Sequence, residues 1–467
     1  MDGDELPLGG VRVLEFGYGV AAPVCCRNLA QFGADVIRVE SVRRPDSLRI
    51  VGAGWVPPEV GWEVVRDTGQ PINFTCSGKR SIGLEVDTPE GMQILRRLVA
   101  ASDVLVMNMS VEAVAGLGLG YAEMREVKPD LIWVNMPSFG SAGGPYQKYR
   151  TWGRNIAAMA GISALVAWPD RDPVGLTVNY PDYASALWGT IAVVCALLRR
   201  DLSGEGGEID VAQYQVAVSS IGPMVMEAAL GGDGLARIGN RSPGAAPQGV
   251  YPSRGTERWV AVTVPDDEAW RGLASVPGLE ALVGDQRFET LEGRIASHDE
   301  IDEALSAWTV ERTPLDAASE LQAVGVAASP VNDYRSVLAD GHLESRDFFK
   351  VLPHPRFGAD LSYGQAIRLC GTPGRFTRAA PGFAEHTREV LANVAGLDDA
   401  EIQAAIDSGV AHEMVRRDVH LERPYLHWIG NVVRGDWPQS HLDPALIVFD
   451  ELLSDPRMVG GEGEVRR

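Results

Sequence analysis

The 467-residue chain is 45% hydrophobic and carries 42 Lys and Arg against 63 Asp and Glu, a net charge of −21. That sign disfavours nucleic acid and anionic membrane as partners, and the length suits two or three domains with sizeable cores. No run approaches the ~18 apolar residues that span a bilayer, and the acidic Met-Asp-Gly-Asp-Glu start lacks a signal-peptide pattern, so a cytoplasmic protein is expected. The five cysteines (Cys25, Cys26, Cys76, Cys195, Cys370) have no metal-ligand spacing, which predicts buried free thiols and no metal site.

Residues 11–16 read as a buried strand. Gly17-Tyr18-Gly19-Val20-Ala21-Ala22 then forms a G-x-G-x-x-A sequence ahead of a helix expected over 25–32. A second strand over 35–40 ends in Glu40, a little over ~20 residues beyond the glycines, as in a dinucleotide-binding fingerprint. An NAD-dependent oxidoreductase is therefore one reading, although Pro23 directly after the motif alters the phosphate-cradling turn. Arg43, Arg44 and Arg49 follow, either facing water or contacting a ligand. Asp87 or Thr88 caps a helix whose Met92, Ile94, Leu95, Leu98 and Val99 suit one buried face. Residues 103–109 form another strand, carrying Asn108 and Met109.

Asp182 follows Pro181 and opens a helix of small and apolar residues from Ala184 to Val194. Two readings compete. As a helix cap, the side chain is worth about 1 kcal/mol. As a carboxylate with an ordinary pKa of about 3.9, it is ionised at neutral pH and can attack a thioester. The Gly/Pro-rich stretch from Gly231 to Gly249 reads as a domain boundary. A hairpin from Tyr251 then opens a smaller domain, with helices over 267–273, 298–308 and 314–323 and a strand over 325–331. The first of the eight histidines is His298, which weakens a Ser-His-Asp hydrolase confined to the N-terminal half. The expected segments are 1–228, 229–250 (linker), 251–345 (small domain), 346–410 (return to the large domain) and 411–467 (extension).

Several of these stretches resemble one family, the class III CoA-transferases, which include formyl-CoA transferase and the carnitine CoA-transferases. Their nucleophilic Asp precedes a small-residue helix ending in Arg-x-x-Thr-Gly-x-Gly-Gln. Here Asp182 and Arg200-Asp-Leu-Ser-Gly-Glu-Gly-Gly207 stand at those places. Ala21-Ala22-Pro23, Phe32-Gly-Ala-Asp-Val-Ile-Arg-Val-Glu40, Lys79-Arg80-Ser-Ile and Glu385-His386-Thr-Arg-Glu-Val-Leu391 match other family segments. The resemblance runs from about residue 8 to 410.

That resemblance implies an α/β fold: a Rossmann-like parallel-sheet large domain formed by both chain ends, a smaller α+β middle domain, and an interlocked homodimer. It implies Asp182 as nucleophile. Tyr18, Gly19, Val20 and Ala21 of the first loop, Lys79, Asn108 and Met109 become CoA contacts, with Arg43 and Arg44 at the nucleotide end. The arginine that usually follows the asparagine is absent here, which removes one phosphate contact. Coenzyme A and acyl-CoA are implied as substrates with a carboxylic acid as acceptor, and no permanently bound cofactor. In some members a glycine-rich loop near 231–244 closes over the nucleophile. The sister racemases carry a catalytic His near Trp152-Gly153-Arg154, where this chain has none. A racemase or isomerase, a non-catalytic CoA binder and the oxidoreductase stand as alternatives to the transferase.

Overall fold

The computed structural model describes residues 6–49, 67, 69–232, 237–354, 358–375 and 378–414. The extension's His420, His427 and His441 lie outside these residues. The chain divides into two compact units. One is formed by residues up to Ile162, Leu176–Gly222 and residues from Ala339 onward; the other by Ser163–Gly175 and Pro223–Leu338.

In the first unit, strands β1 (Arg12–Phe16), β2 (Asp35–Glu40), β3 (Arg80–Leu84), β4 (Val104–Met107), β5 (Ile132–Asn135) and β6 (Gly207–Asp210) run parallel. A short antiparallel strand, Ala411–His412, pairs with β3. The sheet order places β2 and β3 on one side of β1 and β4, β5 and β6 on the other. The order therefore reverses between β1 and β4, and in open α/β sheets that switch point is where a crevice opens beyond the strand C-termini.

Side chains alternate across each strand. Leu14, Ile37 and Leu105 pack with Ile94, Leu98 and Leu391 on one face. Val13, Val36 and Val104 pack with Cys25, Leu29, Ala186 and Val193 on the other. This double cover is why the strands read as near-continuous apolar runs. Helix α1 (Ala21–Gln31) starts four residues earlier than the sequence predicted. Pro23 falls within its first turn, where a missing N–H breaks no intrahelical bond.

The helix α2 (Tyr180–Ser203) packs on α1 through Ser185, Ala186, Gly189 and Val193. A Cβ on Gly189 would lie 3.0 Å from Met136 Sδ and 3.3 Å from Cys25 Sγ, so glycine sets that close approach. At 24 residues, with a mean hydropathy of 1.4 in its most apolar window, α2 is long and apolar enough to cross a membrane by length and composition. Its small-residue face nevertheless packs on the sheet-side core.

The second unit holds an antiparallel three-stranded sheet of β7 (Gln248–Pro252), β8 (Trp259–Thr263) and β9 (Ala327–Pro330). Its core gathers Val260, Val262, Trp270, Leu305 and Leu321. Helices at Asp267–Gly272, His298–Thr309 and Pro314–Gln322 agree with the expected spans to within a residue.

Candidate active site

Asn179 is the N-cap of α2 and makes no side-chain cap bond; Tyr180 and Pro181 precede Asp182 within the first turn. Asp182 is therefore inside the helix rather than its cap. Its Oδ2 is buried and has no hydrogen-bond partner among the described residues. That oxygen lies against Gly153, where a Cβ would come within 2.1 Å of it. Burial pushes the carboxyl pKa up to about 6, against a smaller downward pull from its own main-chain N–H. At pH 7 the group is still ionised by roughly ten to one. It is a carboxylate stripped of water on one oxygen and, among the described residues, paired with no cation, and the positive end of the helix favours its charge.

Beside it opens a cleft of about 440 Å³, bounded in part by Val20, Phe74, Val178, Asn179, Tyr183 and Tyr363. The Phe74 and Tyr363 rings stack at 5.9 Å and 30°. Burial, then the neighbouring Tyr363 and Asp182, raise the Tyr183 pKa, so its phenol stays protonated and able to donate.

The loop after β1 is fastened at the switch point. The Tyr18 N–H donates to Asn108 Oδ1 at 2.9 Å, and Asn108 Nδ2 donates to the Tyr18 carbonyl at 2.7 Å. The Tyr18 hydroxyl reaches the Arg44 carbonyl at 2.6 Å, and the Gly19 N–H donates to Asp46 at 2.9 Å. Met109 exchanges main-chain bonds with the Asn135 side chain at 3.2 Å each way. Val20 caps α1 and Ala21 is its first, buried residue. The structure thus brings Tyr18, Gly19, Val20, Asn108 and Met109 together on loops at one end of the sheet. Asp46, Asn135 and Gly153 were missed. Their roles lie in contacts 26 and 27 residues apart, or in the lack of a side chain, and no local motif marks them.

Of the cations expected near CoA, Lys79 and Arg49 are enclosed and Arg43 and Arg44 are exposed. Lys79 is wholly buried; its Nζ donates to Glu15 Oε2 and to the Pro23 carbonyl, both at 2.6 Å. It joins the first turn of α1 to β1 and presents no charge to solvent. Arg49 is also fully buried, bridging Glu40 at 2.6 Å and Asp67 at 3.3 Å. Arg43 is largely exposed and pairs with Asp87 at 3.1 Å, while Arg44 is exposed on the same loop. These burials follow from charge balance: Glu15, Glu40, Asp46 and Asp67 are all buried in this unit and need internal partners. The same network answers the dinucleotide reading. Burial alone would raise the Glu40 pKa, but Arg49 and Arg38 hold it down at about 2. Its oxygens are already taken by Arg49, Arg38 and Ser81, leaving no free acid for a ribose.

The histidines of this unit that are hydrogen-bonded serve structure. His386 accepts from the Ser81 N–H at 3.3 Å, and His412 lies 3.1 Å from Glu85. Among the described residues, no histidine lines the cleft.

The chain is similar to known proteins of one family. The family model described as CoA-transferase family III matches residues 8–387. Succinyl-CoA–D-citramalate CoA-transferase of Chloroflexus aurantiacus is 30% identical over 396 residues, covering 85% of this chain and 96% of that protein. Succinate–glutarate CoA-transferase of Agrobacterium fabrum is 29% identical, covering 83% and 96%. The crystal structure of a CaiB/BaiF family protein from Brucella suis superposes with a TM-score of 0.74 at 28% identity, covering 84% of this chain and all of that one. The chain belongs to CoA-transferase family III.

Proposed function

We propose that the protein transfers coenzyme A from an acyl-CoA to a carboxylic acid, with Asp182 as the covalent nucleophile. The observation that carries this reading is the buried, unpartnered Oδ2 of Asp182 beside the cleft. A carboxylate held there merely for stability would be expected to have a cation or N–H partner.

An Asp182 oxygen attacks the thioester carbonyl, the C–S bond breaks, and an acyl-aspartyl anhydride and CoA thiolate result. The thiolate attacks the Asp182 carbonyl carbon and releases the donor as a free carboxylate, leaving an aspartyl-CoA thioester. The acceptor carboxylate attacks that thioester and expels the thiolate. The thiolate then takes the acceptor's acyl group from the new anhydride and restores Asp182. Every bond broken is matched by one formed, and no net proton is required. Holding the thiolate beside the anhydride is the main task, since oriented groups can reach effective molarities of about 10⁵ M or more. Water must be excluded from both intermediates.

The loop fastened by Asn108 supplies the CoA-facing surface of this reading, through Tyr18, Gly19 and Val20, while Ala21 is buried in α1. The exposed Arg43 and Arg44 serve the nucleotide end. Leu187, Trp188 and Ile191 are exposed on the outer face of α2, which supports a homodimer contact there. A racemase would need a second acid/base group, and among the described residues no histidine lines the cleft, which favours the transferase.

Incubation with acyl-CoA esters and hydroxylamine, followed by peptide mass spectrometry, tests the mechanism. A hydroxamate confined to the Asp182 peptide is expected. CoA transfer without any such adduct would overturn the covalent route. Exchange of an α-proton with solvent deuterium, without transfer, would favour the racemase.

A further inference from the structure

Among the described residues that line the cleft beside Asp182, none carries a charge of either sign apart from the titratable tyrosine phenols. Its walls are Phe74 and Tyr363, stacked on one another, with Val20, Leu48, Pro71 and Val178; its polar groups are uncharged. Thr75 turns its hydroxyl back to the Pro71 carbonyl at 3.1 Å. Asn179 makes no cap bond and so keeps its amide for a ligand.

Among the described residues, the nearby cations do not open onto this space. Arg27 is buried behind the Tyr363 ring, 3.8 Å from its centroid, and donates to Ser77 Oγ at 2.9 Å and to the Tyr363 carbonyl. Lys79 and Arg49 are enclosed and held by Glu15, Glu40 and Asp67.

We propose that this cleft receives the acyl group and selects acyl-CoA esters and acids whose acyl part is apolar and uncharged, aromatic or branched, over dicarboxylates. The inference rests on the transferase reading above and names its substrate class. Two effects support it. A second carboxylate would lose its hydration against aromatic and aliphatic walls without gaining a cation among the described residues, which disfavours it. It would also stand close to the ionised Asp182, and like charges at short range raise the energy of both. An apolar acyl group meets neither penalty, gains by leaving water, and can lie against the Phe74 and Tyr363 faces. The neutral donors at Asn179 and Tyr183 remain to hold a carbonyl oxygen. Two of the relatives above are named for dicarboxylates, so the expectation separates this chain from them.

The test uses the full-length protein. Phenylacetyl-CoA and isovaleryl-CoA are compared with succinyl-CoA and glutaryl-CoA as donors, each with phenylacetate and succinate as acceptors. The readouts are kcat/KM for transfer and hydroxylamine trapping at Asp182. A preference of at least 100-fold for the uncharged acyl groups is expected. Equal or better transfer from succinyl-CoA overturns the inference and leaves the transferase reading standing. No transfer and no Asp182 adduct with any donor overturns the transferase reading and the inference with it. Val178 is 57% exposed, so Val178→Arg can add a cation to the cleft wall without disturbing the core. It should shift the succinyl-to-phenylacetyl ratio at least tenfold towards succinyl, and an unchanged ratio in a folded, active variant overturns charge as the discriminating factor.

Discussion

Gly153 and the Oδ2 of Asp182 occupy adjoining space with no room for another atom between them: a Cβ at position 153 would stand 2.1 Å from that oxygen and 3.0 Å from the Asn179 Cβ. Gly153 does not have a left-handed backbone, and it begins a helix, Gly153–Met159. Alanine would therefore suit its conformation, and glycine is required there for space alone. Asp182→Ala should abolish transfer with CoA binding kept. Gly153→Ala should push the carboxylate out of its seat, lowering kcat tenfold or more with little change in melting temperature or in KM for the acyl-CoA. Steady-state kinetics with a thermal melt would check this, and an unchanged kcat would show that Asp182 does not need that seat.

The pH dependence follows from the same seat. Asp182 attacks as a carboxylate and its pKa is raised to about 6. kcat/KM should fall about tenfold per pH unit below 6 and level off above 7. Gly153→Ala, by returning the carboxylate to water, should move that limb towards pH 4. A wild-type profile flat down to pH 5 would contradict the raised pKa.

Stability should run the other way. In the folded chain the Asp182 pKa lies above its ordinary value of 3.8, so between about pH 4 and 6 the native state binds more protons than the unfolded one. Its contribution is therefore most favourable below pH 4 and is lost as pH rises through 6. About two pKa units correspond to roughly 2–3 kcal/mol. Asp182→Ala should melt higher than wild type at pH 7.5, and the gap should narrow at pH 5. A variant that melts lower at pH 7.5 would mean the carboxylate has a stabilising partner.

The parallel sheet was legible because its strands are buried on both faces and read as apolar runs, and the helix carrying Asp182 because small residues repeat along its packed side. The surroundings of the cations were not. Lys79 and Arg49 look, in sequence, like the positive groups a polyanionic ligand needs. Their partners Glu15 and Asp67 are 64 and 18 residues away, and only folding shows that acids inside the unit consume them first. Gly153 was passed over for a related reason: between Trp152 and Arg154 a glycine looks like a loop filler, and its role is the absence of an atom.

The fastening of the first loop gives a graded test. Asn108 makes two bonds to the Tyr18 main chain, each worth about 1 kcal/mol net. Asn108→Ala should weaken CoA binding several-fold while leaving the pH limb near 6 in place, because the loop loosens and Asp182 is untouched. Calorimetric titration with CoA would measure this, and unaltered affinity would remove the loop from the CoA surface.

Lys79 separates a ligand contact from a structural one. Its ammonium is fully enclosed, with Glu15 as its ion-pair partner. Removing one member of a buried pair typically costs about 3–5 kcal/mol, because the other charge stays buried. Arg38, also bonded to Glu15 at 2.5 Å, offsets part of that loss. Lys79→Ala should therefore destabilise the fold by about 2–4 kcal/mol, and Glu15→Gln with Lys79→Met should recover part of it. A denaturant melt of the single and double variants would decide the matter. A single variant as stable as wild type but tenfold weaker for CoA would return Lys79 to the ligand.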